Sequence, residues 1–93
     1  MEKKYRLTDN NGLNARVASK MVGAFNKFPT NSILVTCNSR SADGKSILSL
    51  ITLVARKGEE LNISVSGEHA EEVFLTLEKT LATFNPPVVE IIQ

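Results

Sequence analysis

The sequence predicts an α+β fold, a two-layer open-faced sandwich with helices on one side of an antiparallel sheet. Three observations carry this prediction. Segments of two-residue apolar alternation and segments of helical apolar spacing follow one another along the chain. Helical segments occur singly between strands, and the most regular strand, Leu61 to Val65, alternates strictly with polar residues and so asks for one wet face. The 93 residues, 42% apolar and 23% charged, suit one globular domain, and aromatics at 5% with no Trp leave the core mostly aliphatic.

Each element has its own signal. Tyr5 and Leu7 alternate with Lys4 and Arg6 as a half-buried strand, which the turn cluster Asp9-Asn10-Asn11-Gly12 ends. Ala18, Met21, Val22, Phe25 and Phe28 then follow helical spacing, with Lys20 and Lys27 off that face. Pro29 closes this helix, because the residue before a proline is pushed out of the helical region. Residues 32–38 read as a buried strand and residues 39–43 as a short return strand or turn. Ser46 opens a second, shorter helix through about Val54, stopped by Lys57-Gly58.

Gly67 breaks the strand that runs from Leu61. Ala70, Val73, Phe74, Leu77, Leu81 and Phe84 form a third helical stripe. Glu68, Glu71 and Glu72 stand at the helix end that favours negative charge, and Pro86-Pro87 ends the helix. Val88 to Ile92 reads as a short extra strand, so residues 1–85 form the domain and residues 86–93 a C-terminal extension. With two Val and two Ile, that tail is expected either to cap its own sheet or to support a homodimer through an exposed edge.

Net charge is +1, from 11 Lys/Arg against 10 Asp/Glu, which gives no global attraction to nucleic acid or to an acidic membrane. Cys37 is the only cysteine, so neither an intramolecular disulfide nor a cysteine metal cluster is expected. Its place in Ile33-Leu34-Val35-Thr36-Cys37 marks a packed strand thiol. No metal or cofactor is called for. No apolar stretch follows the N-terminal lysines and none approaches a membrane span, so a cytoplasmic protein is expected.

Two segments stand out together: Gly12-Leu13-Asn14-Ala15-Arg16-Val17-Ala18 at the start of the first helix, and Lys45-Ser46-Ile47-Leu48-Ser49-Leu50 at the start of the second. They resemble HPr, the phosphocarrier of the bacterial sugar phosphotransferase system, whose patterns are Gly-(Ile/Leu)-His-Ala-Arg-Pro-Ala and Lys-Ser-Ile-Met-Gly-Leu. Element order and spacing match through about residue 84. The resemblance implies a four-stranded sheet in the order 1-4-2-3, covered by three helices, and a protein that is acted upon and is not an enzyme.

Asn14 stands where that family has its phosphorylated histidine. An imidazole nitrogen has a free lone pair for a phosphoryl group, whereas an amide nitrogen has its lone pair delocalised into the carbonyl. Phosphohistidine transfer is therefore not expected. The only histidine, His69, falls at the start of the third helix, far from this site in such a fold. The family's proline is Val17 here, which keeps an N–H that Asn14 can cap. Arg16 is retained, and its planar donors suit a phosphate.

Ser46 matches the serine that HPr kinase/phosphorylase phosphorylates in many Gram-positive relatives, and Lys45 precedes it. Ile47, Leu48, Leu50, Ile51, Leu53 and Val54 cover about 220° of the second helix at 100° per residue, more than one buried face needs. Family analogy puts Ile47, Leu48 and Ile51 in an exposed partner-binding patch. Ser49 offers a second hydroxyl, and Gly44 suggests a looser turn into the helix.

A missing histidine with a retained serine resembles the catabolite-repression HPr-like proteins of bacilli. That resemblance implies phosphorylation on Ser46 and a corepressor role with a LacI-type transcription regulator, which Arg16 and Lys45 would help to contact. The alternative is a divergent homologue that binds phosphotransferase-system partners as a non-transferring competitor.

Overall fold

The computed structural model describes residues 1–92. Its elements are β1 (Glu2–Leu7), α1 (Ala15–Phe25), β2 (Ser32–Cys37), β3 (Arg40–Asp43), α2 (Ile47–Ile51), β4 (Glu60–Ser66), α3 (Ala70–Leu81) and β5 (Val89–Ile91). The strands form one antiparallel sheet in the order β3-β2-β4-β1-β5. The expected order 1-4-2-3 is therefore present. The tail supplies the expected extra strand as a fifth, β5, which adds to the β1 edge with Tyr5 opposite Ile91 and Leu7 opposite Val89. No helix among the described residues is long and apolar enough to cross a membrane.

The core lies between the sheet and the helices. Tyr5 and Leu7 of β1, Ile33, Val35 and Cys37 of β2, and Leu61, Ile63 and Val65 of β4 point into it, the period-two pattern that pleating imposes. Val17, Met21 and Phe25 of α1, Leu50 of α2, and Val73, Phe74 and Leu77 of α3 meet them. Burying a side chain of this size contributes about 1.5–3 kcal/mol. Burial also pushes the Cys37 thiol above its ordinary range, helped by the Glu59 carboxylate, so it stays protonated and inert.

The continuous apolar run of β2 was expected to be buried, yet Leu34 is exposed. Helices cover only one side of the sheet, so Leu34, one residue out of phase with Ile33 and Val35, lands on the wet face. All three helices end earlier than their apolar stripes suggest. Phe28 and Phe84 pack against the core from three-residue turns, with Phe28 N–H on Phe25 O at 3.1 Å and Phe84 N–H on Leu81 O at 3.2 Å. After α2, Leu53 and Val54 continue as similar turns, donating to Leu50 O and Ile51 O.

Lys3 shares the core-facing side of β1 with Tyr5. Its ammonium bonds to Glu78 of α3, and Tyr5 Oη donates to the same carboxylate at 2.8 Å. This polar clamp ties the β1 side of the sheet to α3 where the apolar core stops.

Candidate functional site

The loop before α1 is held against the α2–β4 connection. Gly12 has φ 61°, and a Cβ there would sit 2.2 Å from Ala55 O, so only glycine fits. Leu13 N–H donates to that same oxygen at 3.0 Å. The chain then turns through Asn14, in an extended conformation, into α1.

Asn14 is a complete N-cap. Its Oδ1 accepts the Val17 N–H at 3.0 Å, the bond a proline at that position would abolish. Its Nδ2 donates to Asp9 Oδ2 at 3.0 Å, and that oxygen also accepts the Asn11 N–H at 3.0 Å. The other Asp9 oxygen receives Arg16 Nη2 at 3.3 Å. The Arg16 guanidinium lies 4.7 Å from the Phe84 ring centre, beyond the end of α3. Asp9 is thus the hub that joins Asn14 to Arg16. In the sequence it reads only as a turn former, because its partners five and seven residues on converge only once the loop is folded.

The second helix start is built differently. Ser46 is half-buried, and its Oγ accepts the Ser49 N–H at 3.2 Å. Ser49 Oγ in turn accepts the Asp43 N–H at 3.0 Å, and Asp43 Oδ1 accepts the Lys45 N–H at 2.9 Å. Lys45 does not point to this cluster. Its Nζ donates to Phe28 O at 2.7 Å, securing the turn after α1. Gly44 is not a loose joint either. It is buried, and a Cβ there would lie 2.5 Å from Ile33 Cγ2, so glycine lets the turn close on the core.

On α2, Leu50 is buried and Leu53 follows it into the core, while Leu48 is 79% exposed and Ile47 and Ile51 each about two-fifths exposed. Val54 joins this ridge on the surface. Among the described residues no hydrogen bond or ion pair links Ser46 or Lys45 to Asn14 or Arg16. His69 lies at the start of α3, its ring 3.6 Å from Glu72. Arg16 meets Phe84 past the other end of α3, so His69 stands one helix length away, about 18 Å.

The chain belongs to the HPr family of the phosphotransferase system: the family model "PTS HPr component phosphorylation site" matches residues 1–83. It is 39% identical to the phosphocarrier protein HPr of Vibrio cholerae over 71 residues, 76% of this chain and 82% of that one. The histidine-containing phosphocarrier of a mycoplasma superposes with TM-score 0.82 at 26% identity, covering 87% of this chain and 91% of that one. The Bacillus subtilis catabolite-repression protein Crh, seen as a domain-swapped intertwined dimer, gives TM-score 0.65 at 28% identity, covering 77% and 82%. Carriers of this family are not enzymes, and their role is to carry or regulate through other proteins. β5 lies beyond the matched residues.

Proposed function

We propose that this protein is a regulatory member of the family that has given up phosphohistidine transfer, is phosphorylated on Ser46, and binds a LacI-type regulator as corepressor in carbon catabolite control. The observation that carries this reading is the Asn14 cap. Both heteroatoms of the Asn14 amide are hydrogen-bonded, to Val17 N–H and to Asp9. A carboxylate beside the position repels the dianion a phosphohistidine would present. The carrier position thus serves as a helix cap.

Ser46 keeps a hydroxyl at the start of α2, beside the exposed Ile47, Leu48 and Ile51. A phosphate there adds charge and acceptor oxygens next to an apolar ridge, the combination a docking partner can read. HPr kinase/phosphorylase is the enzyme this reading requires.

One observation favours a second reading, a non-transferring competitor for phosphotransferase-system partners. Arg16, which the corepressor reading needs for its phosphate-linked contact, is already paired with Asp9.

Intact-mass analysis after incubation with HPr kinase/phosphorylase, ATP and magnesium separates the two. One added phosphate, absent from Ser46→Ala, supports the corepressor reading. No phosphate on the wild type, with an authentic HPr labelled alongside, overturns it in favour of the competitor.

A further inference from the structure

Val54 holds a left-handed backbone, φ 49°, with more than half of its side chain exposed. For a β-branched residue this is a strained conformation, and glycine or asparagine relieves it. Burial does not account for a valine there, since the core contact at this turn is made by Leu53.

Val54 borders an open depression of 350 Å³ lined also by Asn38, Arg40, Leu53, Arg56 and Glu59. Glu59 is its only carboxylate, and both oxygens are taken: one accepts the Arg56 N–H at 2.6 Å, the other the Asn38 amide. Neither guanidinium forms an ion pair among the described residues, and Arg40 reaches only Thr52 O, at 3.5 Å. Two cations with open donors thus stand beside an exposed aliphatic side chain at the far end of the α2 ridge.

We propose that Val54, Arg40 and Arg56 form a second subsite of the α2 docking face, and that it takes a carboxylate-bearing, apolar segment of a partner protein. A partner apolar side chain rests on Val54 and Ile51, and an Asp or Glu beside it bonds to Arg40 and Arg56. Arginine's planar fork suits carboxylate, and an exposed pair of this kind acts mainly on specificity and encounter rate. The inference rests on the reading of α2 as the partner surface.

The test measures rates of Ser46 phosphorylation by HPr kinase/phosphorylase against protein concentration, at low and high salt. Wild type is compared with Leu48→Ala, Arg40→Ala/Arg56→Ala and Val54→Gly. The double arginine variant is expected to raise KM about tenfold with kcat unchanged, and to lose most of the salt dependence. Val54→Gly is expected to raise KM while raising the unfolding midpoint, since relief of strain and loss of a contact are separate effects. An unchanged KM in the double variant, beside a raised KM in Leu48→Ala, overturns the subsite and spares the docking reading. A lowered unfolding midpoint in Val54→Gly also overturns it.

A wild type that takes no phosphate marks failure of the serine reading itself. The same proteins are then compared as inhibitors of authentic HPr labelling by enzyme I and phosphoenolpyruvate. About tenfold weaker inhibition by the double variant supports the subsite. Equal inhibition, or none by the wild type, overturns it.

Discussion

The side-chain oxygen of Asn14 lies 3.0 Å from the backbone nitrogen of Val17, and this one bond caps the N-terminus of α1. Asn14→Ala removes the cap and leaves Asp9 without its amide partner. The expected cost is about 1 kcal/mol, a fall of roughly 4–8 °C in Tm for a domain of this size, read by thermal melting. Asn14→His is expected to take phosphate from enzyme I poorly, because the Asp9 carboxylate faces the new imidazole. Adding Asp9→Ala to it is expected to speed labelling. Equal labelling of the single and double variants would show that Asp9 does not oppose the phosphate.

Gly44 makes a sharper stability prediction. Its missing Cβ would lie 2.5 Å from Ile33 Cγ2 and 3.2 Å from a Phe25 ring carbon. Both neighbours are buried, and neither can retreat without disturbing β2 or α1. Gly44→Ala is therefore expected to destabilise by about 1–3 kcal/mol in denaturant titration. Gly44→Ala/Ile33→Leu, which moves the branch off Cβ and vacates the Cγ2 position, is expected to recover part of that loss. A neutral Gly44→Ala would mean that the turn shifts freely.

The contrast between these two sites shows what was legible in the sequence. The Asn14 cap could be read because a cap is local: its acceptor and donor are three residues apart, and the residue types at both ends reveal it. The helix starts could be read because turn residues and periodicity are local too, whereas the strand order is non-local and came only from the resemblance to HPr. Asp9, Gly44 and Lys45 could not be read, because their partners lie in segments that only the fold brings near. Gly44 looks like a loose turn until Ile33 is packed beneath it, and the Lys45 ammonium has no local signal for its bond to Phe28 O. Leu34 was misread because an unbroken apolar run does not reveal whether one or both faces of a sheet are covered.

Tyr5 makes the fold sensitive to alkaline pH. It is almost fully buried and donates to Glu78, and burial, followed by the Glu78 hydrogen bond and charge, pushes its hydroxyl far above the ordinary tyrosine value of 10.0. An unfolded chain releases that proton near pH 10 while the folded protein holds it, so the unfolded state binds fewer protons and stability falls as pH rises further. Below pH 10 both states keep the proton and Tyr5 contributes no slope. Melting curves from pH 9 to 11.5 are expected to show wild type losing stability faster than Tyr5→Phe above about pH 10. Parallel curves would mean that the hydroxyl ionises in the folded state.

The C-terminal strand makes the last prediction. Val88 is 1% exposed, Thr8 N–H donates to Val88 O at 2.8 Å, and Ile92 N–H donates to Lys4 O at 3.0 Å. Arg6 bridges Glu60 and Glu90, one guanidinium joining β4, β1 and β5, though this exposed pairing contributes little. Deleting residues 86–93 uncovers the β1 edge, together with Leu81 and Phe84, which line the groove beneath β5. Loss of Val88 burial alone is expected to cost about 1.5–3 kcal/mol. The bared edge also offers unpaired N–H and C=O groups to a second copy, so the truncated protein is expected to associate more strongly than the full chain. Denaturant titration and light scattering on both forms decide the matter. A truncated chain as stable as the full one and of the same association state would mean that β5 rests on the sheet without protecting it.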